Sequence, residues 1–79
     1  LTHAKPLDPA QLQTVAMIGG VDEETRMIVE DALKSAGVPV FIEGSAVYAV
    51  QVHRRDYALA HKALKAEPRL ADRWISYMD

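Results

Sequence analysis

Residues 38–52 read VPVFIEGSAVYAVQV, and they follow a helix stop at Ala36-Gly37. Val38, Val40 and Ile42 alternate with Pro39, Phe41 and Glu43, the period of a half-buried strand. Pro39 has no N–H to give a ladder, so this strand is expected at a sheet edge. Gly44-Ser45 supplies a tight turn. Tyr48, Val50 and Val52 then alternate with Val47, Ala49 and Gln51 along a second strand, Ala46–His53. Two β-capable runs this close predict an antiparallel hairpin.

Upstream of the hairpin, the run from Asp22 to Ala36 holds neither Gly nor Pro. Thr25, Ile28, Val29, Ala32, Leu33 and Ala36 recur at helical spacing. Asp22 is the expected N-cap, with Glu23 and Glu24 in the first turn where the helix dipole favours negative charge. Glu30 and Lys34 are spaced for an i,i+4 pair, Gly37 for a left-handed C-cap, and Pro39 blocks continuation. Before the helix, Thr14–Ile18 predicts a first strand ending at Gly19-Gly20. Residues 1–13 read as a lead-in broken by Pro6 and Pro9, with at most a helical turn over Ala10–Gln13, so residues 14–79 form the expected domain.

Downstream, Arg54–Glu67 predicts a second helix with Leu59, Ala60, Ala63 and Leu64 as its apolar stripe and Pro68 as its stop. The tail holds Trp74, Ile75, Tyr77 and Met78. It reads as a fourth strand, Arg73–Met78, or as a short helix from Asp72; Trp, Ile and Tyr favour the pleated surface.

The order is therefore β-α-β-β-α with a candidate final strand. A right-handed crossover makes the first two strands parallel, and the hairpin returns the third strand antiparallel to the second. The compact solution inserts the third strand between them and places both helices on one face, a split β-α-β or ferredoxin-like α/β (α+β) sandwich. A fourth strand would pair on the free side of the first. The helix-facing set is expected to be Ala16, Ile18, Val40, Ile42, Val50 and Val52. That leaves Val15, Met17, Phe41, Val47 and Ala49 on the other face, which is too apolar for a solvated sheet. The lead-in, the tail or another subunit is expected to cover it.

Composition sets outer limits. Hydrophobic residues make up 49% and charged residues 25% of 79, an ordinary globular profile for one domain. Without cysteine, neither a disulfide nor a thiolate metal supports the small core. A net charge of −2 argues against a non-specific nucleic-acid binder. No apolar run reaches the roughly 18 residues of a membrane span. The chain opens at Leu1 rather than Met, which reads as a shortened start; no signal-peptide pattern is visible, and cytoplasm is the default expectation.

Chemical motifs are sparse. His53 and His61 lack the convergent partners of a metal site, so no metal or cofactor is expected. Asp22, Glu23 and Glu24 suit capping better than acid–base chemistry, and no serine has a nucleophile-elbow context. Gly19-Gly20 before a helix invites a phosphate, yet it matches no phosphate-loop pattern and the adjacent acids repel an anion. Phe41 and Tyr48 alternate to opposite faces, so they do not form a base-stacking platform, and the basic residues around the second helix read as a solvated face.

The runs ETRMIVEDALKSAGVPVFIEG and VYAVQVHRRDYALAHKAL carry a resemblance. At Ile28, Leu33, Ala36-Gly37-Val38-Pro39, Phe41, Val50, Val52, Asp56, Ala60 and Leu64 the chain resembles a small prokaryotic family of signal-transducing proteins, a domain of unknown function. The resemblance spans Thr14 to Lys65 and departs at His53-Arg54-Arg55, where proline and acids are commoner, and at the short Gly44-Ser45 turn. It implies a bacterial regulatory domain, and the family has no established activity. The expected function is a non-enzymatic regulatory or protein-interaction module that associates with itself as a homo-oligomer or with a protein partner. Its interface would be Met17, Phe41, Val47, Ala49, Trp74 and Tyr77. The alternative is a small-ligand or enzyme accessory site at Gly19, Gly20, His53 and Arg54.

Overall fold

The structure is a computed structural model that describes residues 11–78. The first ten residues of the expected lead-in lie outside the described residues. Strand β1 (Leu12–Gly19) leads to helix α1 (Glu23–Ser35) and the hairpin β2 (Val40–Gly44) and β3 (Val47–His53). A 3-10 turn at Arg54–Asp56 opens helix α2 (Tyr57–Lys65), and a second 3-10 turn at Pro68–Leu70 precedes β4 (Ile75–Tyr77). The molecule is a small α+β domain with one four-stranded sheet in the order β2-β3-β1-β4. Every neighbouring pair in that sheet is antiparallel.

Helix α1 is fixed at both ends by its own sequence. The Thr25 backbone N–H donates to Asp22 Oδ1 at 3.0 Å, and the Thr25 hydroxyl donates to Asp22 Oδ2 at 2.6 Å. At the other end Gly37 takes φ +77°, a left-handed turn that a Cβ would oppose. The Gly37 N–H reaches the Lys34 carbonyl at 3.0 Å and the Val38 N–H reaches the Leu33 carbonyl at 2.9 Å, a Schellman closure. Val38 is thereby spent on the helix cap and buried, so β2 begins at Val40 rather than at Val38. Glu30 pairs with Arg26 at 3.9 Å, in place of the expected Lys34.

The core lies between the helices and one face of the sheet. Ile18, Val50 and Val52 from the strands, Val29 and Leu33 from α1, and Ala60 and Leu64 from α2 are fully buried. Each large apolar side chain removed from water in this way contributes about 1.5–3 kcal/mol before entropy is counted. The expected stripe of α2 holds at Ala60 and Leu64, whereas Leu59 points outward and is exposed.

Strand β1 differs from its simple alternation in one respect. The β1–β3 register shifts between Thr14 and Ala16. Such a bulge sets two residues of one strand against one of its partner. Val15 and Ala16 are both fully buried as a result, and Val15 does not belong to the outer face assigned to it from alternation. The strand also starts at Leu12, within the stretch expected to be lead-in.

Candidate functional site

The face of the sheet away from the helices is built from register and alternation. Phe41 pairs with Gln51, and Gln51 with Thr14. Glu43 pairs with Ala49, Ala49 with Met17, and Met17 with Ser76. Val47 pairs with Gly19. Directly opposed residues share a face, so these rows form one surface. Trp74 precedes β4 by one residue, and alternation with Ser76 places it on the same side, in the row of Val47 and Gly19. Gly19 has no side chain, so the row has a notch between Val47 and Trp74. Leu12 and His53 close the far end.

The surface has an apolar centre and a mixed margin. Met17 and Ala49 are partly covered by their neighbours. Phe41 is 39% exposed, Val47 42% and Trp74 60%. Thr14, Gln51, Glu43 and Ser76 interrupt them, and Glu43 is the one carboxylate that the described strands put on this face. Among the described residues no element lies over it: the two helices occupy the opposite face, and the tail adds to the sheet edge as β4.

Tyr77 is on the other side. It pairs with Ala16 and packs against the core. Its hydroxyl donates to the Leu64 carbonyl at 3.4 Å, His61 meets its ring at 5.5 Å, and Lys65 Nζ sits 4.6 Å from the ring centre. Burial raises the pKa of this phenol. Trp74 and Tyr77 are three apart in an extended chain, so they necessarily point to opposite faces and cannot both belong to one interface. Met17, Phe41, Val47, Ala49 and Trp74 do come together.

The four residues of the alternative site do not. Gly19 pairs with Val47 at one end of β3, while His53 pairs with Leu12 at the other. Six strand steps separate them, about 20 Å. The Gly20 N–H is already donated to the Ala46 carbonyl at 3.0 Å, and a Cβ on Gly20 would fall 1.8 Å from the Ser45 carbonyl oxygen. Gly20 is thus a contact point for the hairpin turn. His53 Nδ1 accepts from the Arg55 N–H at 3.2 Å and caps the 3-10 turn. Arg54 is an exposed residue of that same turn.

The N-terminus of α1 is occupied by the chain itself. Arg73 Nη1 donates to Thr25 Oγ1 at 3.2 Å, and its other Nη pairs with Glu24. The Thr25 hydrogen bonds, with Arg73 nearby, hold the Asp22 carboxyl below its ordinary range. A second cluster joins Arg69 to Asp31 at 2.7 Å and to Glu67 at 2.9 Å, and the Arg69 hydrogen bonds lower the Glu67 carboxyl to about 2. These clusters tie the segment before β4 to α1. Among the described residues, no three His, Asp or Glu side chains converge as a metal site would need, and no helix is long and apolar enough to cross a membrane.

Sequence reasoning missed the concavities of the surface, including an open one lined by Tyr57, Ala58, His61 and Met78. A groove of about 340 Å³ lies where the end of α2, the Pro68–Leu70 turn and β4 meet. Leu64, Leu70, Ile75 and Tyr77 line it, with Lys65 and Arg73 among its polar residues. The alternation of Ile75 and Tyr77 against Trp74 was the available signal.

None of the protein-family models, curated proteins or solved structures compared with this chain matches it.

Proposed function

We propose that this chain is a non-enzymatic regulatory or protein-interaction module of ferredoxin-like type that associates with a second copy of itself through the open sheet face. The insertion of β3 between β1 and β2, with β4 beside β1, supports the ferredoxin-like reading. The resemblance to signal-transducing domains supports a regulatory role and adds no active site. The observation that carries the reading is the exposed group of Phe41, Val47 and Trp74 around Met17 and Ala49, on a sheet whose other face carries the helices and the buried core.

A second copy suits this surface because its centre is apolar and its one carboxylate, Glu43, lies in the edge strand β2. Two such faces pack at about 10 Å without placing like charges at the centre. Four strands at their usual spacing, over about five residues, give a face of about 300–350 Å² per copy. The total is well under the roughly 1,200 Å² of a stable interface, so the association is weak and concentration-dependent. That strength suits a switchable contact.

The test is a concentration series of amide spectra. Resonances of Met17, Val47, Ala49 and Gln51 are expected to shift as concentration rises, while those of Met27 and Leu59 on the helical side stay fixed. Shifts confined to the helical side would refute the assignment of this face.

A further inference from the structure

We infer a second binding surface, independent of the sheet-face reading: the free edge of β4 and its adjoining groove take an extended, acidic peptide segment as a fifth strand. The argument begins with the backbone. The Met78 N–H donates to the Val15 carbonyl at 3.0 Å, toward β1. Successive residues of a strand turn their N–H and C=O groups to opposite sides, so Ile75 and Tyr77 present theirs at the free edge. β4 ends the sheet, and among the described residues no strand pairs with its outer side.

The groove supplies what a bare edge lacks. Ile75 and Tyr77 form one wall, and Leu64, Leu70 and Pro68 close it. A strand laid along β4 sends alternate side chains into this groove and toward Trp74 on the open face. Main-chain bonds then give affinity, and the groove selects an apolar side chain. The opposite edge, β2, follows Pro39, which has no N–H to share.

Charge identifies the occupant further. Arg73 is held by Glu24 and Asp22, and Glu67 by Arg69. Lys65 has no carboxylate within ion-pair distance among the described residues; it rests over the Tyr77 ring. A carboxylate on the incoming strand supplies its counter-charge.

The probe is a capped hexapeptide of alternating threonine and valine carrying one leucine and one glutamate. Its controls are the same peptide with lysine for glutamate and one N-methylated at alternate amides. Hydrogen exchange and amide shifts of the intact chain provide the readout. The glutamate peptide is expected to slow exchange at Ile75 and Tyr77 and to bind roughly threefold more tightly than the lysine peptide, the size of an exposed ion pair. Lys65→Glu, a change at an exposed position, is expected to reverse that preference, and N-methylation to abolish binding. Phe41→Ala, in β2 at the far edge of the sheet, should leave groove binding in place even if it weakens self-association. No protection at millimolar peptide, or equal binding of both charge forms, overturns the inference. So does protection already present in the free chain: if independent of concentration the chain covers its own edge, and if dependent a second copy does.

Discussion

The two faces of one sheet are governed by different constraints. On the helix side, Ile18, Val50 and Val52 are fully buried in one cluster with side chains of α1 and α2. On the open side, Met17, Phe41, Val47 and Ala49 take the alternate strand positions, and among the described residues no helix lies over them. Strand alternation forces both sets to exist together. The first set specifies the fold, and the second is free to serve a contact. Apolar character alone therefore does not separate core from interface; the position of the helices does.

That contrast can be broken by mutation. Leu33→Ala, fully buried in the same core cluster as Val50 and Val52, is expected to cost about 2–5 kcal/mol, enough to unfold much of a domain this small. Phe41→Ala on the open face is expected to cost less than about 1 kcal/mol, since its site is already wet. Urea titration of both variants decides the matter. Equal losses would mean that the open face is structural. Gly20→Ala comes next: its methyl has no room beside the Ser45 carbonyl, and the hairpin must shift at about 1–3 kcal/mol. Thr25→Val removes a hydroxyl that donates to Asp22 and accepts from Arg73, and is expected to cost about 0.5–1.5 kcal/mol with the strands unchanged.

Acid sharpens the same contrast, because the shifted carboxylates lie on the helix side and its connections. Asp22 and Glu67 both have lowered folded-state pKa values, Glu67 about 2 against an ordinary 4.5. The Glu67 contribution is present above about 4.5 and is lost as pH falls toward about 2, and the Asp22 contribution is likewise lost as pH falls below its ordinary 3.8. Thermal melts over that range should decline, and Glu67→Gln should flatten the lower part of the decline. An unchanged slope in that variant would remove Glu67 from the account.

Much of this was legible in the chain. Asp22, the 28-29-32-33 stripe and Gly37 each name a helix position by local chemistry, and the structure follows them. The hairpin, expected as Val38–Glu43 and Ala46–His53 and found as Val40–Gly44 and Val47–His53, was readable because both runs alternate. Val15 was not, because a bulge suspends alternation and leaves no mark on the residue itself. Tyr77 was misplaced because composition, rather than alternation, was applied to the tail. The partners of Arg69 and Arg73 were hidden because they lie 38 and 48 residues away in Asp31 and Thr25. The separation of Gly19 from His53 likewise became visible only once β3 was seen to run between them.

The central claim rests on the open face as a contact surface, and solution mass tests it most directly. Light scattering of the intact chain should rise from monomer toward dimer as concentration increases through the micromolar range and above. Trp74→Ala should stay monomeric at every concentration while its melting temperature remains near that of the parent, because Trp74 is 60% exposed. An intact chain that stays monomeric throughout, or a Trp74→Ala variant that dimerises as readily as the parent, would contradict the account.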